Sequence, residues 1–380
     1  DGSHRFNRYR SRVRGLPEFA GELPVAALAD EIETPGSGQV RALVTHAGNP
    51  VLSTPNGARL DRALASLEFF VAIDFYLNET TRHAHLILPP SSPLEREHYD
   101  LAFHALAVRD TAKYSAPVFA KPRDARHEWE ILQALTTRLS RGVGAKVKNT
   151  LLALGGPARQ LDHALRTGPY GAGYRPGRAG LTLARLKTLP HGTDLGALKP
   201  GLPARLRTRD KRIHLAPEIF VADLARLAQR FLSDLAPARA NGAAVGADAS
   251  SPALLLIGRR TLRSSNSWMH NAERLVRGKS RCTLLMHPTD AAARGLANGT
   301  EVQVASRAGR VAVPLEISDE MRPGVVSLPH GWGHGRSGTR LRVAAGVAGV
   351  SINDLTDEQA VDALTGTAAF SGVEVTVSPS

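Results

Sequence analysis

The stretch from Glu301 to Ile317 most restricts what this chain can fold into. Val302 and Val304 alternate with polar residues, Ala308-Gly309 marks a turn, and Val311, Val313, Leu315 and Ile317 alternate after it. Period-two alternation puts the apolar side chains of each strand on one face, so the segment reads as a hairpin with one buried side. Further buried-type strands are expected at Leu254–Ile257, Val325–Leu328 and Val373–Val377, with a short helix over Thr289–Arg294 and a turn at Asn298-Gly299. Several short strands with one small helix point to a closed barrel.

The beginning of the chain has another rhythm. An apolar run, Val40–Thr45, ends at Gly48-Asn49-Pro50, and Asn56-Gly57 opens a helix with Leu60, Leu64 and Leu67 on one face. Phe69–Ile73 is a buried-type strand stopped by Asp74, and Leu86-Ile87-Leu88 is a third, closed by Pro89-Pro90. Strands alternating with helices imply a parallel sheet, whose ligands sit at the carboxyl ends of its strands. The pattern predicts a helix over His127–Leu139, an irregular Gly-, Pro- and Arg-rich region with short helices over 141–213, a clearer helix over Val221–Leu232 and a linker over Ala236–Pro252.

Composition narrows the function classes. With 42% hydrophobic residues in 380, the chain can pack two domains, and no window approaches the ~18 apolar residues of a membrane span. Asp1 to Arg5 shows no apolar signal core. The formal charge of +13 favours phosphates in a pocket, nucleic acid or an anionic surface, although the cations are spread as on an ordinary Arg-rich surface. Cys282 is the only cysteine, which excludes an internal disulfide and a Cys-ligated iron–sulfur cluster, and its apolar neighbours mark a buried structural thiol. There is no Gly-rich loop with Lys-Ser or Lys-Thr for nucleotide phosphates, no His-Glu-x-x-His zinc helix and no Gly-x-Ser-x-Gly elbow. His330 and His334 have helical metal-ligand spacing, but Gly331, Gly333 and Gly335 oppose a helix there, so no metal ligand is assigned.

Three loops carry chemistry. Gly258 to Asn271 follows a strand directly and offers Arg259, Arg260 and Arg263, the hydroxyls of Ser264 and Ser267, and Leu262, Trp268 and His270. Those groups suit a ligand with phosphates and ring hydrogen-bonding atoms, or an ordinary surface loop. Leu328 to Gly335 puts His330 and Trp332 beside Gly331, either as a flat-ring platform or as a rigid turn with Trp332 in the core. Asn353-Asp354-Leu355-Thr356 by itself reads as a helix cap. The shared chemistry of the first two loops predicts that they line one pocket.

Taken together these segments resemble a known family. Val44 to Pro50, Asp74 to Ala84 and Ile87 to Pro90 are similar to the third domain of molybdopterin oxidoreductases of the dimethyl sulfoxide reductase and formate dehydrogenase type. The Arg259 loop, His330-Gly331-Trp332-Gly333 and Asn353 to Thr356 resemble that family's dinucleotide-binding barrel, in the same order along nearly the whole chain. The resemblance implies an α/β domain followed by a mostly β closed barrel, double-psi-like, mixed α and β overall. It divides the chain into 1–145, the C-terminal part of the α/β domain; 146–250, a partly helical connection and linker; and 251–380, the barrel.

The implied cofactor is the bis(molybdopterin guanine dinucleotide) form of molybdenum. Asp74 would accept guanine's paired N–H donors, Gly48 and Asn49 would approach it closely, and Glu128 and Asn353 join the three loops as contacts. The family's N-terminal Cys cluster and its protein ligand to molybdenum have no counterpart here, and His85 stands where the family usually has Asp. The 4Fe–4S centre is therefore expected only in an N-terminal half of the same enzyme, the main expected partner, with an electron-transfer subunit as another. The expected whole is a cytoplasmic oxidoreductase, and this chain by itself is expected to be inactive. The runner-up is a basic nucleic-acid-binding protein, which the 5% aromatic content disfavours, and a third reading is a cofactor-free scaffold.

Overall fold

The computed structural model describes residues 6–175, 177–235 and 253–380, which fall into two compact units, 1–87 with 218–380, and 88–217. The linker expected over Ala236–Pro252 and the residues Asp1 to Arg5 lie outside the described residues.

In the first unit the C-terminal segment closes into a six-stranded barrel. Its strands are Leu254–Arg259, Leu284–Met286, Glu301–Ala305, Arg310–Ile317, Val325–Pro329 and Val373–Pro379. The expected hairpin is present, with Val302 opposite Val313 and Val304 opposite Val311. These four valines are buried with Leu254, Leu256, Leu284, Met286, Leu315, Val326 and Leu328, so the period-two faces meet inside the barrel. Closure leaves no exposed sheet edge. The short helix is Pro288–Ala292. Leu284–Met286, a strand of only three residues, is the one barrel element absent from the sequence reading.

Two barrel strands position the site. Leu254–Arg259 and Val325–Pro329 are parallel neighbours in register, Arg259 opposite Pro329. Their carboxyl ends therefore stop at the same level, and the loops that follow must leave the barrel side by side.

The α/β layer of this unit is a parallel sheet of Ala42–His46, Phe69–Ile73 and Leu86–Ile87. Asn56 adopts a left-handed conformation, φ 49°, and accepts the Arg59 N–H to start the helix Gly57–Ala65. Asn tolerates that conformation better than most residues. The helix buries Leu60, Ala63 and Leu64 against Val51, Phe70 and Ala72. The expected helix over Val221–Leu232 is longer, Glu218–Leu235.

The layer is bonded to the barrel through backbone and charge. Asn56 N–H donates to the Thr356 carbonyl at 2.9 Å, and Arg340 N–H donates to the Leu77 carbonyl at 2.8 Å. Asp61, on the helix, receives Arg82 at 2.7 Å, His83 at 2.5 Å and Arg336 of the barrel at 2.9 Å. Arg336 also bonds Asp354 at 2.7 Å. Burial alone would raise the Asp61 carboxyl, but the bonds from His83 and Arg82 and the Arg336 charge bring it down to about 2.

The second unit cuts the chain differently from the sequence division, and the expected 145/146 boundary lies inside it. Arg109–Ala112 pairs antiparallel with Thr193–Ala197, so segments before and after that boundary share a sheet. The region over 141–213, expected to be irregular with short helices, holds the helices Val143–Ala153, Gly156–Thr167 and Leu183–Lys187. Ala112, Leu165, Leu181, Leu183 and Leu186 form its core. The helix expected over His127–Leu139 is Glu128–Leu139. No helix among the described residues is long and apolar enough to cross a membrane.

The Asp61 network gives a signed prediction. Its folded value lies below the ordinary 3.8, so its stabilisation is present above that value and is lost as pH falls toward about 2. Asp61→Asn is expected to lower stability by roughly 2–4 kcal/mol at neutral pH. In urea unfolding the gap between variant and parent should narrow from pH 4 downward, and a gap independent of pH would contradict the role.

Candidate functional site

The two loops expected to share a pocket do come together. His330 N–H donates to the Arg259 carbonyl at 3.0 Å, and the His270 and Trp332 rings stack with centroids 4.1 Å apart. A Cβ on Gly331, at φ +96°, would lie 2.0 Å from the Asn266 carbonyl oxygen, so only glycine permits this approach. On the other loop Ser265 and Asn266 are both left-handed, at φ 43° and 61°. Non-glycine residues so held mark backbone strain of the kind found at ligand sites.

The loops contact one another directly, and this sorts the sequence candidates into buried and outward groups. Trp332 is 3% exposed, so the ring-platform reading is corrected: it packs in the core, beneath the surface. Its indole N–H is buried without an acceptor among the described residues. Arg259 is also turned inward, donating to the carbonyls of Ser327 and Thr283, the latter at 2.7 Å, and to the Thr283 hydroxyl at 3.0 Å. Burial pulls its guanidinium below the usual arginine value, against the Glu316 charge. Asn353 is buried, donating to the Leu52 carbonyl at 2.7 Å, and thereby fastens the barrel to the α/β layer. Ser351, rather than Asn353, caps the 3-10 turn Ile352–Asp354.

The exposed group is Gly258, Arg260, Leu262, Arg263 and Trp268, and Ser267 and His330 are half-buried. Leu262 is 97% and Trp268 82% exposed. Arg260 bonds the Asn266 side-chain oxygen, and Arg263 has no hydrogen bond or ion pair among the described residues. Burial, then the Arg260 charge, holds the His330 ring below its ordinary value.

Asp74 ends its strand as expected, but its carboxylate caps the turn. Oδ1 accepts from the Phe75 and Tyr76 amides at 2.7 and 3.1 Å, and Oδ2 accepts from Asn78 at 3.2 Å. Gly48, at φ +73°, has open space beside it. Asn49 is fixed by its neighbours, donating to Glu79 Oε2 at 2.6 Å and accepting from the Thr80 hydroxyl at 2.6 Å. Glu128 lies in the other compact unit, paired with Arg96. His85, the departure noted in the sequence, accepts the Phe70 N–H on Nδ1 at 3.1 Å, an acceptor's task that a carboxylate also performs. Cys282 is buried, its thiol pushed up by that burial, and accepts the Val350 N–H at 3.3 Å.

The sequence reading missed a buried polar chain beneath the loops. Glu79 Oε1 bonds His334 Nδ1 at 3.0 Å, His334 Nε2 meets His270 Nδ1 at 3.0 Å, and His270 Nε2 meets Ser264 Oγ at 2.8 Å. Ser264 Oγ in turn bonds Thr261 Oγ1. Burial would raise the Glu79 carboxyl, but the His334 bond and charge and the Asn49 amide bring it below the carboxylate range. Burial, then His334, takes His270 down to about 4. Glu79 lies within the Asp74–Ala84 segment and His334 within the Leu328–Gly335 loop, and no local spacing pairs them. No cluster of three or more metal-ligating side chains occurs among the described residues.

The site is thus built on a closed barrel with two glycine-shaped loops at the ends of parallel strands, cationic at the tip. Two family models match: the molydopterin dinucleotide binding domain over residues 254–374 and molybdopterin oxidoreductase over 6–138. The chain belongs to the molybdopterin oxidoreductase family. The assimilatory nitrate reductase catalytic subunit of Bacillus subtilis is 34% identical over 123 residues, 32% of this chain and 17% of that protein. The F420-dependent formate dehydrogenase subunit alpha of Methanocaldococcus jannaschii is 25% identical over 283 residues, 74% of this chain and 37% of the relative. The chain thus spans well under half the length of these relatives. In fold it is similar to acetylene hydratase from Pelobacter acetylenicus, with TM-score 0.68 and 17% identity over 95% of this chain and 47% of that one.

Gly331→Ala tests the contact between the loops. The new Cβ must displace the Asn266 carbonyl in a conformation that disfavours side chains, which should cost roughly 2–4 kcal/mol. Thermal unfolding within 1 °C of the parent would show that the loops do not touch as described.

Proposed function

We propose that the chain is the C-terminal portion of a molybdenum-dependent oxidoreductase and binds bis(molybdopterin guanine dinucleotide) with the loops 258–270 and 328–335. The observation that carries this is the meeting of those loops at the carboxyl ends of two parallel barrel strands, with Arg260 and Arg263 outward. Pyrophosphates need cations with little internal competition, and Arg263 has none among the described residues. The unmet Trp332 indole N–H is a buried donor of the kind a ligand or ordered water satisfies. These features fit the cofactor. They do not specifically favour nucleic acid, since the exposed cations and Trp268 form one compact tip at strand ends.

When bound, the cofactor supplies two-electron redox chemistry at molybdenum. The roles of this chain's residues are to bind and orient it. Arg260 and Arg263 take phosphate oxygens, Trp268 offers its ring to an apolar or flat face, and Asp74 receives one guanine N–H through the Oδ2 lone pair that its turn leaves free. The metal ligand and the 4Fe–4S cluster are assigned to the N-terminal half of the same enzyme, with an electron-transfer subunit as a further partner and the cytoplasm as location. A formate-dehydrogenase-like member is one reading within the family, since the match to the formate dehydrogenase subunit covers 74% of this chain and that to the dimethyl sulfoxide/trimethylamine N-oxide reductase of Rhodobacter capsulatus covers 82%.

Two outcomes test this. The purified chain alone should turn over neither formate nor nitrate, because it carries no assigned ligand for the metal, and measurable molybdenum-dependent turnover would refute that. Asp74→Asn keeps an oxygen for the Phe75 and Tyr76 amides but loses the charge. It should reduce the preference for a guanosine over an adenosine diphosphate sugar by roughly tenfold or more. An unchanged preference in calorimetric titration would leave Asp74 with the cap alone.

A further inference from the structure

The buried chain from Glu79 to Thr261 has both ends defined. At the inner end the Glu79 carboxylate can only accept, so Asn49 turns its amino group to it and its Oδ1 to the Thr80 hydroxyl, which donates there and itself accepts the Val51 N–H at 3.1 Å. The other Glu79 oxygen faces His334 as an acceptor. At the outer end Thr261 is half-buried on the loop proposed to hold the dinucleotide. Between them Glu79, His334, His270 and Ser264 are all at least 97% buried, so water cannot complete their hydrogen bonds.

Such a chain has two self-consistent arrangements. With His334 neutral, its Nδ1–H donates to Glu79 and its Nε2 accepts from His270 Nδ1–H. His270 Nε2 then accepts from Ser264, Ser264 accepts from Thr261, and the Thr261 oxygen shows only lone pairs outward. When one proton enters at Thr261, each proton moves one link inward. Thr261 passes its proton to Ser264, Ser264 to His270 Nε2, and His270 Nδ1 to His334 Nε2. The charge rests on His334 beside the Glu79 carboxylate, His270 stays neutral as the other tautomer, and every bond between reverses. Thr261 now donates outward.

We propose that Glu79, His334, His270 and Ser264 form a one-proton relay that converts the Thr261 hydroxyl from acceptor to donor, so that a pyrophosphate-bearing ligand binds the loop with uptake of one proton. The ligand half of this rests on the function proposed above, whereas the relay itself rests on the side-chain geometry. The other charged groups that act on the relay are Arg281 and His330 on His270 and, through His330, Arg260; Arg82 donates to the Glu79 backbone carbonyl. Burial, Arg281 and His330 oppose charge on His270, which places the added charge on His334, next to Glu79, the one carboxylate of the relay.

The test uses the chain labelled with nitrogen-15 in histidine, and guanosine diphosphate mannose as probe, since its pyrophosphate diester does not titrate near neutrality. As pH falls, His270 should change from the Nδ1–H to the Nε2–H tautomer while staying neutral. Glu79→Gln should lock the Nε2–H tautomer at every pH, because Asn49 holds the glutamine oxygen and turns its amino group toward His334. A His270 tautomer indifferent both to pH and to Glu79→Gln would overturn the relay. Calorimetry in two buffers of different ionisation enthalpy should find uptake approaching one proton per probe at high pH. The affinity should fall roughly tenfold from the protonated to the unprotonated chain. Thr261→Val, which leaves the buried pair untouched, should abolish both effects. Tight probe binding without proton uptake would overturn the coupling. A tautomer switch without any probe binding would overturn the ligand assignment and leave the relay standing.

Discussion

The contact between Glu79 and His334 is the constraint on which the rest of this unit turns. A buried carboxylate without a partner is among the most costly things a protein can hold. Glu79 belongs to the α/β layer and His334 to a barrel loop, and both side chains are almost wholly inaccessible. The layer must therefore close on the barrel in the one register that brings the two together. The Asn56–Thr356 and Asn353–Leu52 bonds repeat that register on the backbone, and the Asp61–Arg336 pair repeats it nearer the surface.

From this follows the division of labour in the candidate site. Residues that resemble ligand contacts in the sequence, such as Arg259, Trp332 and Asn353, are consumed in holding the two loops and the layer in place. The groups left facing outward are few, and they are cationic or apolar at one tip. A site preorganised by buried bonds spends little of its binding energy on ordering loops. The strained pair Ser265 and Asn266 and the glycine contact at Gly331 are the local cost of that rigidity.

How far the sequence disclosed this depended on the range of each interaction. The hairpin Val302–Ile317 and the strand Phe69–Ile73 were legible because alternation and apolar runs are local signals. The barrel was legible as a class, but Leu284–Met286 was not, since three residues carry no period. Short helices after 141 were legible but their bounds were obscured by glycine, proline and arginine, and the strand Thr193–Ala197 exists only because Arg109–Ala112 pairs with it. The loops were found, while the sense of their side chains was not. Nothing local tells whether Arg259 points to solvent or to the carbonyls of two neighbouring strands. The Glu79–His334–His270 chain is the extreme case, because its members come from three separate segments and meet only after closure.

The central claim is that the paired loops at the ends of the parallel barrel strands are where a guanine dinucleotide binds. Hydrogen–deuterium exchange of the chain with and without guanosine diphosphate mannose tests it most directly. The account predicts added protection confined to residues 258–270, 328–335 and the turn after Asp74, with the barrel strands unchanged. Protection that falls instead within residues 141–213, or none at saturating probe, would contradict it.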